Sequence, residues 1–559
     1  MTLLRRLCVL WLCLLAVAGT QAHAQDAVLF DAFDYEGHDP AFEQPLPPDH
    51  YRNPVLAGFY PDPSVVRAGD MFYLVNSSFG YFPGIPVAES RDLVHWQTIG
   101  HVLDRPGEVK LDGLGASRGV FAPAIAYHDG TFYVVNTVVD GGGNFIATAK
   151  HAAGPWSNPM WLRDVDGIDP SLFFDDDGKA YLLNNGAPEG EPLYEGHRAI
   201  WLQQIDVTAG KMLGARKVIL NGGTDIAKKP IWIEGPHLYK RNGWYYLMCA
   251  EGGTGPQHSE VVLRSRSVWG PYVAYEGTPI LTQRDLPDDR AEPIINAGHA
   301  DLVEAADGSW WAVFLASRAY DGTHYNTGRE TYLLPVTWKN DWPIILPKEQ
   351  AIPRVAAGPS FMQRNQAQAP ISGNFHWHDD FDKPTLDSAW MFMRAPAQSW
   401  ADLASHPGKL AIHPLPLDLD TRDNPSFLAR RQQHLVFEAS TSLEVPTETG
   451  VEAGIAAFQN ERYWYAFGVQ RKGKSLLLTL RRHRGDEVAV VATAALPPGV
   501  HTLALKITGN GGVYGFAYNA GDGWKWLEQH ADGTVLSTDV AGGFIGTTLG
   551  PYARRLGHG

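Results

Sequence analysis

Disulfide bonding is all but excluded: the 559 residues include three cysteines, and two of them, Cys8 and Cys13, stand near the start. The third, Cys249, lies in the apolar stretch Trp244 to Ala250, the setting of a buried inert thiol rather than of a nucleophile. Long apolar runs are equally scarce. The one candidate, Leu7 to Gly19, has 13 residues, where a membrane span needs about 20. With Arg5 and Arg6 before it and Ala22-His23-Ala24 after it, the run reads as a secretory leader over residues 1–24. The mature chain is therefore expected to be soluble and exported, with no membrane span. Positive charge is short too. There are 46 Lys and Arg against 61 Asp and Glu, a net of −15 that becomes about −17 without the leader's two arginines. Nucleic acid needs a basic face and is excluded as a partner, whereas a neutral polymer fits. The run Gly141-Gly142-Gly143 lacks the lysine and the strand-to-helix setting of a phosphate loop, so nucleotide binding is excluded there. Helical periodicity is hard to find anywhere.

What is abundant points to β-structure: 18 Trp, 22 Tyr and 58 Gly in a chain that is 44% hydrophobic and 19% charged. The length exceeds one compact core, so two sizeable domains are expected. Residues 25–52, acidic and Pro-bearing, read as an extended N-terminal arm. From Asn53 the sequence repeats itself. Polar-Gly turns enter aromatic strands at Ala68 to Tyr73, His128 to Tyr133, Asp176 to Tyr181, Arg241 to Tyr246 and Ala306 to Trp311. The aligned aromatics Tyr73, Tyr133, Tyr181, Tyr246 and Trp311 are 60, 48, 65 and 65 residues apart, which suits blades of four short strands. An all-β fold follows, with a five-bladed β-propeller over residues 53–350; a sandwich of similar strand content has no reason to repeat five times. Residues 351–373 read as a surface linker. Residues 374–559 read as a β-sandwich, on strands such as His434 to Ala439, Tyr463 to Val469 and Val500 to Ile507. The pair Lys228-Lys229 reads as solvated surface.

Counting back from each aligned aromatic reaches an acid in three repeats. Asp62 stands 11 residues before Tyr73, Asp169 stands 12 before Tyr181, and Glu234 stands 12 before Tyr246; the other two places hold Ala122 and His299. If first strands line the propeller axis, these five positions form a ring at one end of it. An acid before Pro or Gly often does no more than cap a turn, but three acids in register across repeats point to one site. Carboxylates facing each other across a funnel suit glycosidic cleavage, in which one protonates the leaving oxygen while another activates water or attacks carbon. The acid has to stay protonated near neutrality, and Glu234, behind Ile231-Trp232-Ile233, has the more apolar surroundings. The segments Ser78 to Gly84 and Gly119 to Pro123 offer the aromatic faces of Phe79, Tyr81 and Phe121 for sugar stacking.

The segments Tyr60-Pro61-Asp62-Pro63-Ser64, Gly167-Ile168-Asp169-Pro170-Ser171 and Ile233-Glu234-Gly235-Pro236-His237 resemble the three acid motifs of glycoside hydrolase family 43. The second domain resembles the concanavalin-like accessory sandwich of that family's β-xylosidase-like members. The resemblance implies hydrolysis with inversion: Asp62 as general base, Glu234 as general acid, and Asp169 orienting the acid and raising its pKa. Inversion places base and acid roughly 6.5 to 9.5 Å apart. His299 resembles the family's axial His, a neighbour of Ca²⁺ or water, and Arg318 resembles the arginine that contacts the sugar. The implied partner is a plant cell-wall oligosaccharide or polysaccharide, and the implied activity is removal of terminal xylose, with α-L-arabinofuranose as the alternative. No cofactor is required, and a structural Ca²⁺ is compatible with the resemblance. A sandwich loop is expected to wall off the funnel mouth. Related sandwiches continue into a further strand bearing an Asp, so the segment Thr548 to Gly559 is expected to leave an edge or gap, with a ligand missing opposite Asp379 to Asp382. Competing readings are a non-catalytic carbohydrate-binding propeller, which a missing acid would mark, and a retaining hydrolase of fructose polymers.

Overall fold

The protein, seen here in a computed structural model, is described over residues 27–287, 289–363 and 371–557. The leader reading over 1–24 lies outside the described residues, as does part of the expected linker. Five antiparallel sheets, three of four strands and two of five, follow one another. They begin with the strands Ser64–Ala68, Ala124–His128, Ile168–Phe174, Glu234–Arg241 and Ile294–Glu304, and each first strand pairs with a second through one of the polar-Gly turns. This is a five-bladed β-propeller. Tyr73, Tyr133, Tyr181, Tyr246 and Trp311 all lie on second strands, and Cys249 is a free, fully buried thiol on one of them. The ring is tied shut where Val55 N and Leu56 N donate to Thr331 O in the fifth blade, at 2.9 and 3.2 Å.

Two eight-stranded sheets make the second domain, and their inner faces pack around Phe30, Phe33, Tyr35, Phe437, Ile455, Phe467, Leu505 and Phe516. This concanavalin-like sandwich is not built from the C-terminal half alone, which corrects two of the expected boundaries. The supposed arm contains the strand Val28–Gly37, which inserts between Val436–Glu444 and the strands Leu410–Ile412 and His376–Asp379. Its alternation Phe30, Phe33, Tyr35 was masked by a bulge between Phe30 and Ala32. Further on, His50–Arg52 pairs with Val355–Ala357 of the supposed linker. The tail is corrected as well. Thr548–Arg555 leaves no gap; it is a central strand, paired with Val451–Asn460 on one side and Leu428–Arg431 on the other.

The domains also share a sheet. Tyr81–Phe82, in a loop of the first blade, pairs with Met391–Met393 as the last strand of one sandwich sheet. Tyr81 is therefore not a sugar platform as expected: it is fully buried, 5.3 Å from the Phe59 ring, with its hydroxyl 2.9 Å from Thr548 Oγ1.

Candidate active site

A cavity of about 390 Å³ opens at one end of the propeller axis. Asp62, Ala122, Asp169, Glu234 and His299 all line it, so the five ring positions converge. Cross-strand pairing refines the count. Val66, Ala126, Phe173, Tyr239 and Val303 are the partners of the five aligned aromatics. Asp62, Ala122, Asp169 and His299 each precede their partner by four residues, and in the fourth blade that place belongs to Gly235. Glu234 sits one residue earlier. The hairpin turns of the third and fifth blades are one residue longer than the others, which made the sequence count agree.

This offset has a backbone basis. Asp62, Asp169 and His299 hold φ of 51°, 53° and 52°, and Gly235 matches them at 55°. The left-handed conformation turns these four strand starts into the cavity, at a cost that residues other than Gly, Asn and Asp meet reluctantly. At Gly235 a side chain is also excluded by space, because a Cβ there would stand 2.7 Å from His299 Nε2. The Gly235 amide donates to Asp169 Oδ2 at 3.1 Å, tying the third blade to the residue beside Glu234.

The carboxylates are buried and differ in their surroundings. Burial pushes the Asp62 carboxyl up, but Arg329, His299 and the Ser77 hydroxyl together hold it below its ordinary value. Arg329 Nη1 lies 2.8 Å from Asp62 Oδ1, and Ser77 Oγ donates to Oδ2 at 2.5 Å. Glu234 is pushed well above the ordinary range, by burial first and then by the charges of Asp169 and Asp62. Asp169 is raised by burial and by Asp62, to about 7. The two titrate as a pair, each raising the other's hold on its proton. Burial also lowers His299 to about 4, so it is a neutral ring near neutrality, with Nδ1 3.7 Å from Asp62 Oδ1.

Of the expected substrate contacts, Phe79, Phe121 and His299 line the cavity, and Tyr81 and Arg318 do not. Arg318 is fully buried at the junction of three segments. It pairs with Glu330 at 2.7 Å and Asp39 at 2.5 Å, and it donates to Gln433 O at 2.7 Å. It pins the domains together and is removed from the sugar-contact list. The arginine that meets Asp62 in the cavity is Arg329, at the entry to the fifth blade's third strand; no repeat marks that position. Trp232, read in the sequence only as an apolar neighbour of Glu234, is half-buried under the Arg198 guanidinium at 4.2 Å and lines the cavity, as does Arg118, which no motif marks. Phe544 comes from the sandwich. Its ring stacks on Phe79 at 5.9 Å and meets Phe121 edge-on at 5.6 Å; its N–H donates to Ser117 Oγ of the propeller at 3.0 Å, and its carbonyl accepts from Arg329 Nη2 at 3.3 Å. An aromatic inside Gly542-Gly543-Phe544-Ile545-Gly546 is the signal that could have found it.

The residues do not fit the Ca²⁺ that the resemblance allowed. Among the described residues no group of three or more His, Cys, Asp or Glu could hold a metal. Asp379 spends its oxygens on Phe381 N–H and Trp390 Nε1, and the carboxylate nearest His299 is committed to Arg329.

Residues 51–343 match the family model of glycosyl hydrolases family 43, and residues 378–559 match that of the β-xylosidase C-terminal concanavalin A-like domain. A non-reducing end α-L-arabinofuranosidase of Bacteroides ovatus is 38% identical over 509 residues, covering 90% of this chain and 91% of that one. A xylosidase/arabinosidase of Butyrivibrio fibrisolvens is 37% identical over 511 residues, covering 90% and 96%. The crystal structure of a GH43_12 protein retrieved from capybara gut metagenome superposes with a TM-score of 0.89 at 40% identity, covering 95% of this chain and all of that one. With the match running through propeller and sandwich alike, the chain belongs to glycosyl hydrolases family 43 and is a glycosidase.

Proposed function

We propose that the protein is an exported, inverting exo-glycosidase that removes terminal xylose from xylo-oligosaccharides or xylan side chains. The observation that carries this reading is the opposite setting of two carboxylates in one cavity, Asp62 against Arg329 and Ser77, Glu234 buried beside other acids. Asp62, held ionised by Arg329, takes a proton from the attacking water as general base. Glu234, held protonated by burial and by its acidic neighbours, gives its proton to the leaving oxygen as general acid. Asp169 raises the pKa of Glu234, and its bond to Gly235 N–H fixes the backbone beside it. Phe544 closes the cavity from the sandwich side, which suits cleavage of one sugar at a chain end. Phe79, Phe121 and Trp232 supply apolar faces, and Arg118 and Arg329 supply donors for hydroxyls.

A second reading, α-L-arabinofuranose as the released sugar or both sugars in turn, is favoured by the names of the relatives from Bacteroides ovatus and Butyrivibrio fibrisolvens. Turnover of paired nitrophenyl β-xyloside and α-L-arabinofuranoside separates the two. The anomer first released, followed by NMR, tests inversion, and a retained product sinks it. Asp62→Asn is expected to lose about 10² to 10⁴ in rate on every substrate, whatever its leaving group; full activity would remove Asp62 from the base role. Export rests on the leader reading and is tested by the N-terminus of the secreted chain, expected near residue 25.

A further inference from the structure

We propose that a second cavity, between the first blade and the sandwich, binds a small carboxylate or oxyanion through Arg430 and Arg431. The cavity has a volume of about 230 Å³ and shares no residue with the catalytic one. Tyr60, Gln97 and Thr98 line it from the propeller, and Trp377, Arg430 and Arg431 from the sandwich side.

Charge in this cavity is out of balance. Arg430 is 1% exposed and Arg431 5%. The other buried arginines among the described residues all face carboxylates: Arg318 faces Glu330 and Asp39, Arg329 faces Asp62, Arg394 faces Glu461, and Arg481 faces Asp418 and Glu452. Neither Arg430 nor Arg431 has one within ion-pair distance among the described residues, and residues 364–370, which precede this wall in sequence, contain no acid. Two adjacent buried cations with no ion-paired carboxylate among the described residues therefore line one cavity.

Their hydrogen bonding is incomplete as well. Arg430 donates to Arg431 O at 3.3 Å and to Gln433 Oε1 at 2.9 Å, and its buried Nε finds no acceptor. Arg431 donates Nε to Phe59 O at 2.8 Å. Aromatic rings cover both guanidiniums: Tyr35 lies 4.1 Å and Trp377 4.7 Å from Arg430, and Tyr60 lies 4.1 Å from Arg431. Ring faces offset part of the cost of burying a cation and leave its net charge in place. The uncompensated field is felt nearby. Burial lowers Arg430 to about 10, and burial followed by the charge of Arg431 lowers His101 to about 3. The one acid in the wall, Asp387, acts on Arg430 only from beyond ion-pair distance, and its oxygens face Ala389 N–H and Lys383.

A planar carboxylate or a tetrahedral oxyanion suits guanidinium forks, and exposed Gln97 and Ser388 leave the mouth open to solvent. An anion there bridges the two domains. It also rests against the segment that ends in Asp62, because Arg431 holds Phe59 three residues before it.

Thermal unfolding of the full chain, followed while sodium sulfate, acetate or chloride is titrated to about 50 mM in a low-salt buffer, tests the site, since a ligand of the folded state raises the transition by mass action. The acetate and sulfate arms distinguish a carboxylate from an inorganic oxyanion. A saturable rise with either, larger than with chloride, is expected for the natural sequence. It is expected to vanish in Arg430→Met, and in Ser388→Glu, which brings a carboxylate of its own to the mouth. Should Arg430→Met fail to fold, Ser388→Glu carries the test. No saturable rise, an equal rise with chloride, or an unchanged rise in Ser388→Glu overturns the proposal.

Discussion

Gly235 and Asp169 are joined by a 3.1 Å hydrogen bond from backbone amide to carboxylate, across the boundary between the third and fourth blades. The donor residue has φ of 55° and no room for a Cβ against His299. Gly235→Ala is therefore expected to displace the strand start that carries Glu234, beyond the roughly 1 to 2 kcal/mol that a left-handed alanine costs. Gly130→Ala, with φ of 70° in a turn where nothing approaches within 4 Å, carries the backbone cost alone. If kcat falls at least about 10-fold in the first variant and stays level in the second, the strand start positions the acid, since small misplacements cost rate steeply. Equal kcat in both removes this role.

The pH dependence follows from Arg329, which lowers the pKa of all three acids. Activity needs Asp62 ionised and Glu234 protonated, so kcat/KM should be bell-shaped. Its acid limb should fall below the usual carboxylate range, and its alkaline limb well above that range. Arg329→Met removes a positive charge, so all three groups bind protons more tightly and both limbs should move to higher pH. Arg329→Lys keeps the charge and should move them less. Limbs that stay in place in Arg329→Met would break the link between Arg329 and the ionisation of Asp62.

Glu234→Gln has two expected signatures. Substrates with poor leaving groups should lose about 10² to 10⁴ in rate, while those whose leaving group needs no protonation keep part of theirs. The second signature is stability. Because folding raises the Glu234 pKa, its protonated form contributes stability fully below the unfolded value of about 4.3, and this is lost as pH rises through the folded value. The variant should therefore melt progressively higher than the parent as pH rises from about 5 until the folded value is passed, on a scale of about 1.4 kcal/mol per pH unit. A constant difference across that range would show that Glu234 is not strained in its charged form.

Periodic features were legible in the sequence because they repeat with the fold. The polar-Gly turns mark where first strands meet second strands, and the acids lie where inner strands begin. Features made by contact across the chain were not. Val28–Gly37 belongs to a sheet whose other strands start after residue 375, so nothing local distinguishes it from an arm. Arg318 and Arg329 are both lone arginines near strand ends of one blade, and only the carboxylates of Glu330 and Asp39 on one side and Asp62 on the other assign them. Tyr81 was misplaced for the same reason, since the sheet it joins belongs to the other domain.

Phe544 separates the wall of the site from the stability of the whole. A propeller ending near Pro370 is expected to be insoluble, because it would keep Val28–Gly37 without its sheet and Asp39 and Glu330 without the Gln433 contact at Arg318, exposing apolar surface. That result alone would say nothing about catalysis. Phe544→Ala leaves the sandwich docked, because Asn326 still donates to Gly533 O at 2.9 Å and Thr547 N to Asn326 O at 2.8 Å. It opens the cavity beside Phe79 and loosens the seat of Arg329. The expected outcome is a folded enzyme with KM for short oligosaccharides raised about 10-fold, the scale of about 1.4 kcal/mol for one lost apolar contact, and with weaker discrimination against longer chains. Unchanged KM and unchanged end-specificity in a folded Phe544→Ala enzyme would mean that the sandwich supports the site without shaping it.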